Sequence, residues 1–202
     1  METHISQKDK SRIEAGIRGK YVKVAQSPEG LFKYPTGRAG LETLKYDSVL
    51  IQSLPEDVVA SYCGVGNPFS LGPVNAGEAV LDIGCGAGVD TILAAMMVGP
   101  AGKAIGVDIV SEMLQRAEGN LKMTGIENVT FKKASGEKLP FEDHSFDLVI
   151  SNGVINLIPD KAATLKEAMR VLKPGGRLMI ADQTLSGPLQ SDIDDQIDKW
   201  AH

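Results

Sequence analysis

The sequence predicts an α/β protein: a doubly wound, mostly parallel Rossmann-like sheet preceded by a helical N-terminal extension. Three observations carry this. From residue 77 onward, short apolar or β-branched runs alternate with segments whose apolar residues recur at spacings of three and four. A glycine cluster, Gly84, Gly86 and Gly88, falls where the first strand-like run hands over to a helix-like one. A carboxylate, Asp108, closes the second strand-like run. Such alternation implies parallel strands joined by right-handed crossovers.

Taken in order, strands are expected at 79–83, 104–108, 129–132, 146–151 and 177–182, each bounded by turn residues. Helices are expected at 89–98, 111–124 and 160–172. The last of these stops at Lys173-Pro174-Gly175-Gly176, where proline cannot continue a helix and glycine favours the turn. Another helix is expected over 192–200. The sequence ends after the fifth strand-like run, so the expectation is either a truncated domain or a coding sequence that continues past His202 with further edge strands; an exposed fifth strand would otherwise be an edge that a homodimer could relieve. Before residue 77, short helical patterns are read at Val49, Leu50 and Leu54, and at Val58 and Val59 behind Pro55-Glu56-Asp57. Between them come turns at Tyr34-Pro35-Thr36-Gly37 and Gly64-Val65-Gly66-Asn67-Pro68. Residues 1–76 are therefore read as an extension covering the ligand side, and 77–202 as the sheet domain.

Composition narrows the function classes. With 202 residues, 43% of them hydrophobic and 23% charged, the chain can bury a sizeable core. A net charge of -5 argues against nucleic acid as a partner, since that affinity rests on clustered Lys and Arg, and Lys132-Lys133 is too short a run. The N-terminus is polar and no run of membrane-spanning length occurs, so a cytoplasmic protein with no membrane association is expected. The two cysteines, Cys63 and Cys85, form no C-x-x-C pair, and the three histidines are scattered. Neither a disulfide framework nor a metal site is expected.

The glycine loop Asp82-Ile83-Gly84-Cys85-Gly86-Ala87-Gly88 is the strongest chemical signal. Glycine permits positive φ and lets a ligand approach the main chain, and the helix start beyond offers free N–H groups. The spacing is G-x-G-x-G, whereas dinucleotide binders carry G-x-G-x-x-G. A nicotinamide oxidoreductase is disfavoured accordingly. Asp108 either accepts both hydroxyls of a ribose or caps the following helix.

The stretch from Val80 to Ile180 resembles the class I S-adenosylmethionine-dependent methyltransferases. The resemblance implies that Asp82, Gly84, Cys85, Gly86 and Gly88 hold the methionine portion of S-adenosylmethionine and Asp108 its ribose. It implies that Ile109 and Met113 flank the adenine, although Met113 sits equally well in a core. Ala134-Ser135-Gly136-Glu137-Lys138-Leu139-Pro140-Phe141 is similar to the family's adenine-edge loop, with Ser135 in place of the usual aspartate. The edge contact then falls to Gly136 or Glu137. Phe146 to Asn152 resembles the fourth strand, which places Asn152 beside the methyl group. Tyr34, Asn152 and Asn156 are candidate substrate-pocket residues, with lid packing for Tyr34 and turn hydrogen bonds for the asparagines as alternatives.

A finer resemblance is to the arsenite methyltransferases. It is carried by Tyr34-Pro35-Thr36-Gly37, Tyr62-Cys63-Gly64-Val65-Gly66-Asn67-Pro68 and the run from Ser151 to Lys161. That family is expected to hold trivalent arsenic through three cysteine thiolates, soft ligands for a soft centre. Here Val65 and Gly153 stand at two of those positions, and the third falls at or beyond the end of the chain. The three-thiolate route is therefore not expected. Quinone-precursor methyltransferases share the Leu139-Pro140-Phe141 loop and the turn before the fifth strand. The resulting expectation is methyl transfer to a small molecule, with a binder lacking transfer activity as the alternative and no catalytic residue named.

Overall fold

In the computed structural model, which describes residues 7–184, one sheet is built from β1 (Ala79–Ile83), β2 (Lys103–Asp108), β3 (Val129–Lys133), β4 (Phe146–Asn152) and β5 (Leu172–Ala181). All pairings are parallel and the spatial order is β3-β2-β1-β4-β5. The chain starts at the centre, steps outward over β2 and β3, and then returns to lay β4 on the other flank of β1. That reversal opens a crevice beyond the carboxyl ends of β1 and β4, where ligands of such sheets bind.

Each element follows from its residues. Every position of β1 is buried, as a central parallel strand covered on both faces requires. Among the described residues four α-helices precede it, α1 (Gln7–Val24), α2 (Gly37–Thr43), α3 (Ser48–Ser53) and α4 (Glu56–Ala60), followed by a 3-10 turn at Pro68–Leu71. Asp47 starts α3 by accepting the N–H groups of Val49 and Leu50. After β1 comes α5 (Val89–Val98), which is buried nearly all round. Ile92 and Leu93 meet Leu41, Ile51, Leu54, Val58 and Val59 of the N-terminal helices. Ala94, Ala95 and Val98 face Val80, Leu148 and Ile150 of the sheet. A helix apolar on every side is what such a double burial demands.

The helix α6 (Ser111–Thr124) ends on Gly125 in the left-handed conformation. On the opposite face of the sheet, α7 (Lys161–Val171) buries Ala168 and Val171 against Leu81, Ile83 and Val149. Asp160 caps it by accepting from the Ala163 N–H.

Two expectations are revised. The fifth strand begins at Leu172, which pairs with Phe146, and resumes at Arg177 opposite Leu148 after a shift of register. The turn residues Lys173 to Gly176 thus lie inside β5 as an irregularity. The turn expected at Tyr34 to Gly37 covers only its first three residues, which are non-helical, since Gly37 already opens α2. The helix expected at 192–200 lies outside the described residues. Helix α1 had no counterpart in the sequence reading. Its sequence is polar, with only Ile13 and Val24 among its buried apolar side chains, and Val24 joins Ala87, Val110 and Met113.

Candidate functional site

A cavity of about 440 Å³ occupies the crevice. Its floor is the loop after β1, in which Gly84, Gly86 and Gly88 all take positive φ (74°, 52° and 82°). The loop is held close to β2, because Gly84 and Cys85 both donate to the carbonyl of Val107. Asp108 fastens it further: Gly86 N–H donates to Oδ2 at 2.9 Å and Val110 N–H to Oδ1 at 2.8 Å. Of its two expected roles, the cap is not taken, since the α6 N-cap is Val110. Each carboxylate oxygen keeps a lone pair beyond its backbone bond.

The carboxylates that line this cavity include three aspartates, Asp82, Asp90 and Asp108. Asp82 is 2% exposed and accepts from the Thr91 hydroxyl at 2.6 Å. Asp90, 7% exposed, accepts from Tyr46 Oη at 2.8 Å and from Asn152 Nδ2 at 2.9 Å. Among the described residues no Lys or Arg forms an ion pair with any of the three. The ion pairs lie elsewhere, as in Arg170 with Asp143 and Glu167. Burial therefore acts on them unopposed by a cation. It pushes Asp82 up to about 8, with the charges of Asp90 and Asp108 adding to the effect. It pushes Asp90 up to about 6 against the hydrogen bonds from Asn152 and Tyr46, and it raises Asp108 as well.

The consequence for stability has a definite sign. In the unfolded chain these carboxyls ionise near about 3.9, while the folded chain keeps the Asp82 proton until about pH 8. The folded state binds more protons between those values, so this contribution is present at low pH and is lost as pH rises through the window. The unfolding temperature of the ligand-free protein is expected to fall between about pH 5 and about pH 8, and Asp82→Asn is expected to flatten that fall. Thermal unfolding monitored by circular dichroism measures both; a temperature rising with pH in both proteins contradicts the assignment.

Asn152, placed by the sequence at the end of β4, does line the cavity, but its amide is engaged. Its Oδ1 accepts from the N–H groups of Val65 (2.9 Å) and Gly66 (3.0 Å). Its Nδ2 lies within reach of Gly66 O, Asp90 Oδ2, Tyr46 Oη and Tyr62 Oη. Asn152 thus binds the 62–66 loop to the core. A Cβ at Gly64 would come within 2.8 Å of Asn152 Cγ, so only glycine lets that loop approach.

The other expected residues divide. Ile109, 46% exposed, Ser135, Gly136, Glu137 and Cys85 line the cavity. Ser135 Oγ accepts from Glu137 N–H, and Glu137 Oε1 accepts from Asp160 N–H. The Glu137 carboxylate is therefore already tied to the start of α7. Met113 is fully buried beneath the loop with Ala87 and Val110, and Gly88 packs under Phe131 and Ala117; neither reaches the cavity. Tyr34 lines a second cavity of about 220 Å³ with Pro35, Leu44, Gly64 and Val65, and its hydroxyl donates to the Cys63 carbonyl. Asn156 lines neither cavity, and its N–H donates to Asp182.

Sequence reasoning missed one wall of the site. Glu14, Ile17, Arg18 and Tyr21 of α1 cover the cavity. Asp90 was missed too, although an acid within the apolar run 89–98 was a signal. Both cysteines are held as thiols: burial first, then the charge of Asp108, pushes Cys63 up to about 12 and raises Cys85 as well. Val65 and Gly153 are neighbours, since a Cβ at Gly153 would stand 3.1 Å from Val65 Cγ1.

This fold and site define a class. A family model described as a methyltransferase domain matches residues 74–202, and the chain belongs to the class I S-adenosylmethionine-dependent methyltransferases. Within that class it is related to arsenite methyltransferases. It is 35% identical over 206 residues to the arsenite methyltransferase of Halobacterium salinarum, covering 95% of this chain and 52% of that protein. It is 44% identical over 111 residues to the ubiquinone/menaquinone biosynthesis C-methyltransferase UbiE of Hahella chejuensis, covering 54% and 44%. The crystal structure of CrArsM, an arsenic(III) S-adenosylmethionine methyltransferase of Chlamydomonas reinhardtii, superposes with a TM-score of 0.56 at 38% identity, covering 74% of this chain and 50% of that one. The chain spans about half the length of the curated relatives it matches.

Proposed function

We propose that the chain binds S-adenosylmethionine in the larger cavity and transfers its methyl group to a small apolar acceptor. One observation carries the choice of ligand: the buried Asp82 and Asp90 and the half-buried Asp108 converge there, and among the described residues neither of the cations that also line the cavity, Arg18 and Lys133, forms an ion pair with them. Isolated buried charges are costly unless something pairs with them. A pyrophosphate would add negative charge to the cluster, whereas a sulfonium and an ammonium would neutralise it.

The residues then take roles. Asp108, oriented by Gly86 and Val110, accepts from the ribose hydroxyls. Gly84 and Gly86 let the ligand lie on the backbone, with Asp82 below the methionine portion. The exposed Ile109 side chain flanks the adenine, and the backbone of Ser135 and Gly136 meets its edge. Met113 supports this wall from behind.

When bound, the donor supplies an electrophilic methyl on a positively charged sulfur. The protein's part is to position that group and to exclude water, which provides most of the acceleration in an in-line displacement. Helix α1 closes the cavity, and Asn152 fixes the 62–66 loop between the two cavities. The acceptor is placed beyond that loop, in the second cavity, where Val65, Leu44, Pro35 and Tyr34 offer contact without thiolates. Val65 and Gly153 disfavour the metalloid named for the arsenite relatives. The carbon acceptor named for the UbiE relative fits the apolar lining better.

Titration calorimetry with S-adenosylmethionine, S-adenosylhomocysteine and NAD tests the reading. Binding of the first two and not of NAD is expected, together with label transfer from methyl-labelled donor into a small-molecule extract. NAD binding without S-adenosylmethionine binding overturns it.

A further inference from the structure

We infer that Asp90 is a positioning carboxylate that reads the donor's charge and conveys it to the 62–66 loop. This rests on the donor proposed above. Asp90 is the second residue of α5, where the helix N-terminus favours a negative charge. Its two oxygens are divided between two elements: Oδ1 accepts from Tyr46 Oη, and Oδ2 from Asn152 Nδ2. Asn152 in turn holds the carbonyl of Gly66 at 2.8 Å, and Tyr62 Oη donates to it at 2.9 Å, with Tyr46 Oη 3.1 Å away. The loop that separates the two cavities is therefore hung on the ionised form of one carboxylate.

A protonated carboxyl turns one of those acceptor oxygens into a donor, and one of the two bonds is lost. Among the described residues no cation forms an ion pair with Asp90. The groups facing it are Asp82 of β1, Asp108 of β2, Asn152 of β4, and Tyr46, Tyr62 and Cys63 from the segment before β1. Helix α1 adds Glu14, Arg18 and Tyr21 to the same cavity, the end of β3 adds Lys133, and the loop after it adds Glu137. Around this cluster burial dominates and lifts Asp90 to about 6. A cationic donor expels the proton and tightens the loop. Once the methyl has left, the sulfur is neutral, the proton returns, and the loop loosens around the product.

The test is calorimetry of the full chain near about pH 6, in two buffers of different protonation enthalpy, with S-adenosylmethionine and S-adenosylhomocysteine as the probes. S-adenosylmethionine is expected to release more protons than S-adenosylhomocysteine, and its affinity to fall as pH drops through that value. Tyr46→Phe removes a bond that favours the ionised form, so the midpoint is expected to move upward; a purely structural role for Tyr46 would not move it. Asp90→Asn is expected to erase the difference in proton release and to bring the two affinities at least about tenfold closer. Equal proton release for both nucleosides in the unmodified chain, or an unmoved midpoint in Tyr46→Phe, overturns the inference while leaving the donor reading intact. Binding of neither nucleoside overturns both.

Discussion

Gly84→Ala is expected to lower the unfolding temperature by about 5–20 °C and to weaken S-adenosylmethionine binding by about a hundredfold or more. Two independent effects combine at this position. The backbone sits at φ 74°, where a non-glycine residue costs roughly 1–2 kcal/mol. The new Cβ would also stand 2.8 Å from Val154 Cβ and collide with both Val154 methyl groups, and overpacking of that kind costs about 1–3 kcal/mol. Relief by moving the loop is closed off on the other side, because Gly84 and Cys85 both donate to Val107. Gly99→Ala is the matched control: its φ is 66°, and nothing lies within 4 Å of the added carbon. Only the conformational cost is expected there, with donor binding unchanged. Thermal unfolding and calorimetry on the two variants separate collision from backbone strain, and a Gly84→Ala protein binding like the unmodified chain would sink the floor role of the loop.

The parts of this molecule that were legible in the sequence are those where one physical demand acts alone. The strand β1 and the helix α5 are apolar apart from Asp82, Asp90 and Thr91 because both are covered on all sides, and the bounds read from the sequence match the structure. Helix α1 was not legible, because it packs through few apolar residues and otherwise lies over the cavity, where a polar sequence is suited to a ligand. The start of β5 was hidden by Lys173-Pro174-Gly175-Gly176, whose turn signal is genuine but is absorbed as an irregularity within the strand. The site shows the same division. Asp108 and the glycines were found because loop geometry restricts which residues fit there. Asn152 was found at the right place, but its four-sided engagement with Tyr46, Tyr62, Asp90 and Gly66 depends on residues as much as 106 positions away, which no local pattern encodes. Asp90 is the instructive miss, since a carboxylate in an apolar helix has no structural reason unless something polar or cationic meets it.

Asp108→Asn separates the ribose contact from the charge-reading role of Asp90. In the folded chain the carboxylate accepts from Gly86 and Val110 at once. An amide offers one acceptor oxygen, so one of those N–H groups faces an NH₂ instead, at a cost of about 1–3 kcal/mol. Removal of a charge that burial already disfavours offsets part of this. Stability is therefore expected to change little. Binding is a different matter: hydrogen bonds to a charged acceptor are worth about 1.5–3 kcal/mol each, and two from the ribose give a loss of about a hundredfold or more. The ribose is common to S-adenosylmethionine and S-adenosylhomocysteine, so both are expected to weaken by the same factor in Asp108→Asn, whereas Asp90→Asn acts on their difference. Calorimetry of the two nucleosides on both variants gives four affinities. If Asp108→Asn weakened only the sulfonium form, the carboxylate at the end of β2 would be answering the ligand's charge and not its sugar.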